Sequence, residues 1–199
     1  MIANAPNPLP PVTLILGGAR SGKSRHAEQL VESAGGGKGR DCLYIATAVG
    51  QEARDPEMAA RIDEHKARRG ARWKTIEEPL DLAGVLTREA RAGRPLLVDC
   101  LTLWLSNLMA AERDVEAELD GLIAVLSGRA GPKPAGPVVF VSNEVGLGIV
   151  PMHELARDFR DHSGRLHQAV AEVADSVVFM VAGLPMVLKT PEKAQYKDN

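Results

Sequence analysis

Short apolar, β-branched runs recur along the chain at residues 12–16, 42–47, 95–99, 138–142 and 176–181. Apolar at successive positions and too short for helices, they predict strands buried on both faces. Between them the period changes. Residues 25–31 have helical composition, Val115, Leu119, Leu122 and Leu126 form one apolar stripe, and Leu155, Phe159, Leu166, Val170 and Val173 form another, interrupted near Gly164. Residues 56–69 predict a further helix, with Asp55 as N-cap and Pro56 in the first turn. Strands alternating with helices predict an α/β domain, a mainly parallel sheet with helices on both faces. Two weaker runs, 73–76 and 186–189, predict additional strands, the second at an edge. Gly35 to Gly37 and residues 128–137 read as loops.

Composition bounds the rest. A chain of 199 residues, 45% apolar and 25% charged with net charge −2, suits one full α/β domain. We place a flexible tail at 1–11, a single catalytic domain at 12–189 and a polar tail at 190–199. The charge balance argues against nucleic acid as a partner, and no apolar run has membrane-spanning length. The tail 1–11 is rich in Pro and Asn and lacks the regions of a signal peptide, which predicts a cytoplasmic protein. Cys42 and Cys100 have neither CxxC nor metal-site spacing and read as reduced core thiols.

The chemistry starts directly after the first strand, at Gly17-Gly18-Ala19-Arg20-Ser21-Gly22-Lys23-Ser24. The pattern G-x-x-x-x-G-K-S between a strand and a helix is a phosphate-binding loop: backbone N–H groups surround a polyphosphate, the Lys meets β- and γ-phosphate charge, and the Ser hydroxyl meets Mg²⁺. A turn alone would require neither Lys23 nor Ser24. The fold class is therefore a P-loop NTPase.

In parallel α/β sheets ligands collect at the carboxyl ends of strands, so polar residues ending the apolar runs are the next candidates. Asp99 ends Leu96-Leu97-Val98, the position of a Mg²⁺-holding carboxylate in phosphate-loop enzymes, although a strand-end Asp also caps turns. Thr47 ends another run, where nucleotide contact and turn formation are both open, and Asn143-Glu144 ends a third, where orienting substrate or sensing the γ-phosphate and a plain polar strand exit are both open. On the helix 56–69, His65 prolongs the apolar stripe of Met58 and Ile62, and Lys66, Arg68, Arg69 and Arg72 surround it. A neutral imidazole can attack phosphorus while cations stabilise departing pyrophosphate. A histidine near a helix C-terminus also packs or meets the dipole, and the residues alone leave both readings open.

With these residues in place, the chain resembles the bifunctional adenosylcobinamide kinase / adenosylcobinamide-phosphate guanylyltransferase family of cobalamin biosynthesis. The matching blocks are GGARSGKSRHAE from Gly17, YIATA from Tyr44, EMAARIDEHKARRGARWKTIEEP from Glu57, LLVDCLTLWLSNLM from Leu96, VSNEVGLGIVP from Val141 and ARDFRDHSGRLHQAVAEVAD from Ala156. The resemblance implies a RecA-like sheet, Mg²⁺, and two reactions. ATP or GTP phosphorylates adenosylcobinamide; GTP then guanylylates a histidine, which passes the group to adenosylcobinamide phosphate. That histidine lies in an R-I-x-x-H block, matched by Arg61, Ile62 and His65. It further implies GTP contacts from Gly17, Gly18, Ala19, Arg20, Ser21, Gly22, Lys23 and Ser24, from Ala46, Thr47 and Ala48, from Lys66, Ala67, Arg68 and Arg69, and from Glu77 and Asp99. Ser24 and Asp99 would hold the metal, Lys23 and His65 would be catalytic, and the assembly would be a homotrimer. Glu64 stands where some relatives carry a second His, and His167 where Asn is usual. A simple small-molecule kinase and a GTP-binding regulatory module share only the phosphate loop; neither needs the block around His65.

Overall fold

The computed structural model describes residues 9–34, 42–48, 69 and 72–191. The helix expected at 56–69, apart from Arg69, lies outside them, as does His65. The elements run β1 (Val12–Gly17), α1 (Lys23–Ala34), β2 (Cys42–Ala46), β3 (Trp73–Glu77), α2 (Leu82–Glu89), β4 (Leu96–Asp99), α3 (Leu101–Ala110), α4 (Val115–Ser127), β5 (Val138–Asn143), α5 (Glu154–Val173), β6 (Ser176–Val181) and β7 (Leu184–Lys189).

The seven strands form one sheet in the order β3-β2-β4-β5-β1-β6-β7, with every pairing parallel except β6 with β7. This is the mainly parallel, helix-flanked sheet expected of the sequence. β1 is buried at all six positions because strands lie on both sides and helices on both faces. Alternation divides the core. Leu14, Leu43, Ile45, Val98 and Phe140 face α2 to α5, whereas Ile15, Tyr44, Leu97, Val139 and Val141 face Ala27 and Val31 of α1.

Three local features differ from the sequence expectation. α5 passes through Gly164 without a break, and Leu155 is 70% exposed and takes no part in the core stripe. β7 begins two residues earlier than expected, because Ala182 and Gly183 both take left-handed backbone (φ 52° and 79°) and close a two-residue hairpin. Helices α2 and α3 add to the elements that periodicity predicts. Asp81 caps α2 by accepting from Gly84 N at 2.9 Å, and α3 is apolar on several faces because it is enclosed by the core.

Both cysteines are buried thiols, and neither is in a disulfide. Burial first, then the charge of Asp99, pushes the Cys100 thiol up to about 11, so it stays protonated beside the Thr102 hydroxyl at 3.1 Å.

Candidate nucleotide-binding and transfer site

The carboxyl edge of the sheet gathers the candidates. Register places Ala46 opposite both Glu77 and Asp99, Asp99 opposite Val141, and Gly17 opposite Asn143. Val141 also pairs with Ile15, so Asp99 lies level with β1 two strands away, about 10 Å at ordinary strand spacing. Glu77, Ala46 and Asp99 thus form one row, level with Ile15 and two residues short of the start of the phosphate loop at Gly17.

The loop itself is held from several sides. A methyl group at Gly17 would meet Ser21 Oγ at 2.6 Å and the Met180 carbonyl at 2.7 Å, so only glycine lets β1 turn this close to β6. Arg20 and Gly22 take left-handed backbone (φ 56° and 92°), which curls the chain ahead of α1. From beyond the loop, the Gly183 amide of the β6–β7 hairpin donates to Ser21 O at 3.1 Å. Lys23, 8% exposed, donates from Nζ to Gly18 O at 2.9 Å, a bond it can exchange for phosphate oxygens. Ser21 Oγ is buried and has no hydrogen-bond partner among the described residues, a donor inside the loop that suits an anionic oxygen.

For Mg²⁺ the donor set fits: a Ser hydroxyl and a strand-end carboxylate are hard oxygen ligands, and this ion ordinarily takes one or two protein oxygens together with phosphates and water. Among the described residues no cluster of three or more His, Cys, Asp or Glu could hold a metal by itself.

Asp99 is oriented by Tyr44, whose hydroxyl donates to Oδ2 at 3.1 Å. Burial, and after it the Asp99 charge, pushes the phenol well above its ordinary pKa, so it remains a donor at any working pH. Over the Tyr44 ring lies the Arg69 guanidinium, 3.3 Å from the centroid. Arg69 is the last residue of the basic block, so the structure brings that end of the block to Asp99. Lys66, Ala67 and Arg68 lie outside the described residues. Sequence reasoning passed over Tyr44, although a tyrosine inside a buried strand signals a hydrogen-bonded hydroxyl.

Thr47 is engaged within the fold. Its hydroxyl donates to Cys100 O at 2.9 Å and accepts from Cys100 N at 2.8 Å, its amide donates to Asp99 O, and its carbonyl accepts from Asn107 Nδ2 at 2.7 Å. It therefore ties the ends of β2 and β4 together. Thr47→Val leaves the buried Cys100 amide without a partner, while the Cys100 carbonyl keeps the Trp104 amide at 3.1 Å, and is expected to cost about 1–3 kcal/mol, read as a lower denaturant midpoint at unchanged m-value.

On β5, Ser142 Oγ lies 2.7 Å from His167 Nε2, and His167 Nδ1 lies 3.6 Å from Glu144 Oε2. The order resembles a serine nucleophile's relay, but Ser142 is fully buried and cannot meet a substrate. The network anchors the loop leaving β5, where Glu144 N also donates to Gly17 O at 3.0 Å. Burial lowers the His167 pKa against the opposing pull of Glu144, so the folded state holds the imidazole neutral more strongly than the unfolded chain does. Stability from this group is present above about pH 6.5 and is lost as pH falls below it. His167→Asn is expected to flatten the melting temperature between about pH 6.5 and 5, with His26, also lowered by burial, supplying the remaining slope.

Residues 13–188 match the family described as cobinamide kinase / cobinamide phosphate guanyltransferase. The chain belongs to that family. It is 55% identical over 176 residues to the bifunctional adenosylcobalamin biosynthesis protein CobP of Pseudomonas aeruginosa, covering 88% of this chain and 96% of that one. It is 41% identical over 187 residues to the bifunctional adenosylcobalamin biosynthesis protein CobU of Salmonella typhimurium, covering 88% and 98%. Among solved structures, protein PH0250 of Pyrococcus horikoshii superimposes with a TM-score of 0.52 at 10% identity, covering 92% of this chain and 88% of that one, a likeness of fold alone. Family members are cobinamide kinases and cobinamide phosphate guanylyltransferases, and the chain is an enzyme of that kind. No helix among the described residues is long and apolar enough to cross a membrane.

Proposed function

We propose that one catalytic domain, residues 12–189, performs both reactions at this edge, with the phosphate loop serving each. In the first, the γ-phosphoryl group of ATP or GTP passes to a hydroxyl of adenosylcobinamide; the acceptor O–P bond forms as the bond to the β-phosphate oxygen breaks. Gly17 to Ser24 hold the polyphosphate, Lys23 offsets charge developing on the transferred group, and Ser24 and Asp99 hold Mg²⁺. In the second, an imidazole nitrogen of His65 attacks the α-phosphorus of GTP and pyrophosphate leaves. A phosphate oxygen of adenosylcobinamide phosphate then displaces the histidine to give adenosylcobinamide-GDP. Lys66 to Arg69 bind the phosphates beside the nucleophile. Ala46, Ala48 and Glu77 contact the nucleoside, with the Glu77 carboxylate accepting from ribose or guanine. Thr47, whose polar groups are all engaged, acts by holding the strand ends.

One observation carries this reading: Arg69, the end of the basic block containing His65, stacks on Tyr44, which in turn bonds Asp99 at the edge where the phosphate loop begins. The test uses Mg²⁺ and GTP labelled at the α-phosphate, followed by a search for an acid-labile, alkali-stable protein adduct, and in parallel γ-labelled nucleotide with adenosylcobinamide. Both products support the reading; phosphoryl transfer without adduct leaves a simple kinase, and neither product overturns it.

The homotrimer belongs to the same proposal. Leu147, Ile149 and Met152 are 82%, 98% and 93% exposed, and the edge strand β7 exposes Leu184, Met186 and Leu188, apolar side chains that a subunit interface would take out of water. Light scattering on the purified chain is expected to give three times the monomer mass.

A further inference from the structure

Two of the groups assigned to the nucleotide come from distant parts of the chain, Asp99 at the end of β4 and Arg69 ahead of β3, and one side chain touches both. The Tyr44 hydroxyl holds Asp99 Oδ2 at 3.1 Å, and its ring carries the Arg69 guanidinium at 3.3 Å. The ring is itself fixed: Trp73 stands edge-on to it, with centroids 6.2 Å apart at 81°, and Trp73 Nε1 donates to Glu32 of α1 at 2.9 Å. A guanidinium stacked flat on an aromatic face keeps its N–H groups in plane and directed sideways. NH1 of Arg69 is buried without a hydrogen-bond partner among the described residues. A buried charged donor left in this state is costly, and a phosphate oxygen is the acceptor that best matches its charge and geometry.

We propose that Tyr44 is a positioning residue that joins Arg69 and Asp99 into one grip on a metal-bound triphosphate, with NH1 of Arg69 as the donor to a phosphate oxygen. The inference rests on the nucleotide reading above. Two separable effects follow. The hydroxyl governs the metal side, because it sets the orientation of a carboxylate assigned to Mg²⁺, as outer-shell partners do for metal ligands. The ring governs the phosphate side, because it is the platform for the guanidinium.

The full-length chain is titrated with GTP in EDTA and again in Mg²⁺, and Mn²⁺ binding to the protein–GTP complex is followed by electron paramagnetic resonance. Tyr44→Phe is expected to leave metal-free affinity within about 2-fold of the parent while cutting the metal-dependent gain, and Mn²⁺ affinity, about 10-fold. Tyr44→Leu also removes the platform and is expected to lower metal-free affinity about 5- to 10-fold. Arg69→Lys keeps the charge and loses the planar stack; with Tyr44 intact it tests the same point should the leucine variant fold poorly, and is expected to show the same metal-free loss. A Tyr44→Phe protein with the full metal-dependent gain overturns the coupling to Asp99. Unchanged metal-free affinity in Arg69→Lys overturns the role of the stack. Failure of the unsubstituted chain to bind GTP overturns the nucleotide reading itself, and with it this one.

Discussion

His65→Ala is expected to abolish labelling by α-labelled GTP and to reduce guanylyl transfer about 10⁴-fold or more, equivalent to roughly 5 kcal/mol of lost transition-state stabilisation. The size follows from the chemistry. No other residue of the R-I-x-x-H block can replace the nucleophile, since Glu64 carries a charge that repels a polyphosphate, and direct attack by cobinamide phosphate would bring two anions together without covalent relay. The same protein is expected to keep phosphorylation of adenosylcobinamide within about 3-fold, because general phosphoryl transfer depends on positioning and electrostatics at the phosphate loop, with no covalent histidine. Measuring both rates on one preparation separates the two reactions. Equal loss in both would instead indicate that the substitution disturbs nucleotide binding, and an adduct persisting in His65→Ala would assign the nucleophile elsewhere.

Lys23→Ala is expected to act on both reactions, by about 10²- to 10³-fold in kcat, or roughly 3–4 kcal/mol. Lys23 is 8% exposed and already bonded to the Gly18 carbonyl, so its ammonium is oriented before any ligand arrives, and charge stabilisation by an oriented group needs no rearrangement at the moment of reaction. The substitution also removes the bond that braces the loop, and KM for the nucleotide is expected to rise as well. Steady-state kinetics with γ- and α-labelled GTP read both effects. A kcat loss confined to phosphoryl transfer would show that the α-phosphate is attacked in a different nucleotide pose, one that does not use the loop lysine.

What the sequence disclosed followed from locality. The phosphate loop is readable because strand, turn and helix follow one another directly within residues 12–31 and each fixed residue type has its own reason (Gly17, Gly22, Lys23 and Ser24). The five strong strands are readable because burial on both faces removes polar residues from them. α3 escaped notice for the same reason inverted: enclosed on several sides, LTLWLSNLMA has no polar face and so no stripe. α2 is two turns long, too short for periodicity to speak, though Asp81 three residues before Gly84 is a capping signal. The site's connections were beyond reach because their partners are remote. Tyr44 and Asp99 are 55 positions apart and the sides of the Thr47–Cys100 clamp 53, and only sheet register makes neighbours of them. His167, noticed only as a departure from Asn, turns out to sit between Ser142 and Glu144 beneath the loop that leaves β5.

The bond from Gly183 to Ser21 carries a consequence for how the protein is made. The nucleotide motif leaves the ribosome well before the hairpin amide that steadies its far side and the β6 strand against which Gly17 is fitted. During synthesis the motif is therefore present long before its binding geometry is complete. Nascent chains arrested before residue 176 are expected to retain little GTP even with the whole phosphate loop exposed. Capture on immobilised nucleotide should begin once the β6–β7 hairpin has emerged, so that synthesis of this hairpin is what makes the site competent.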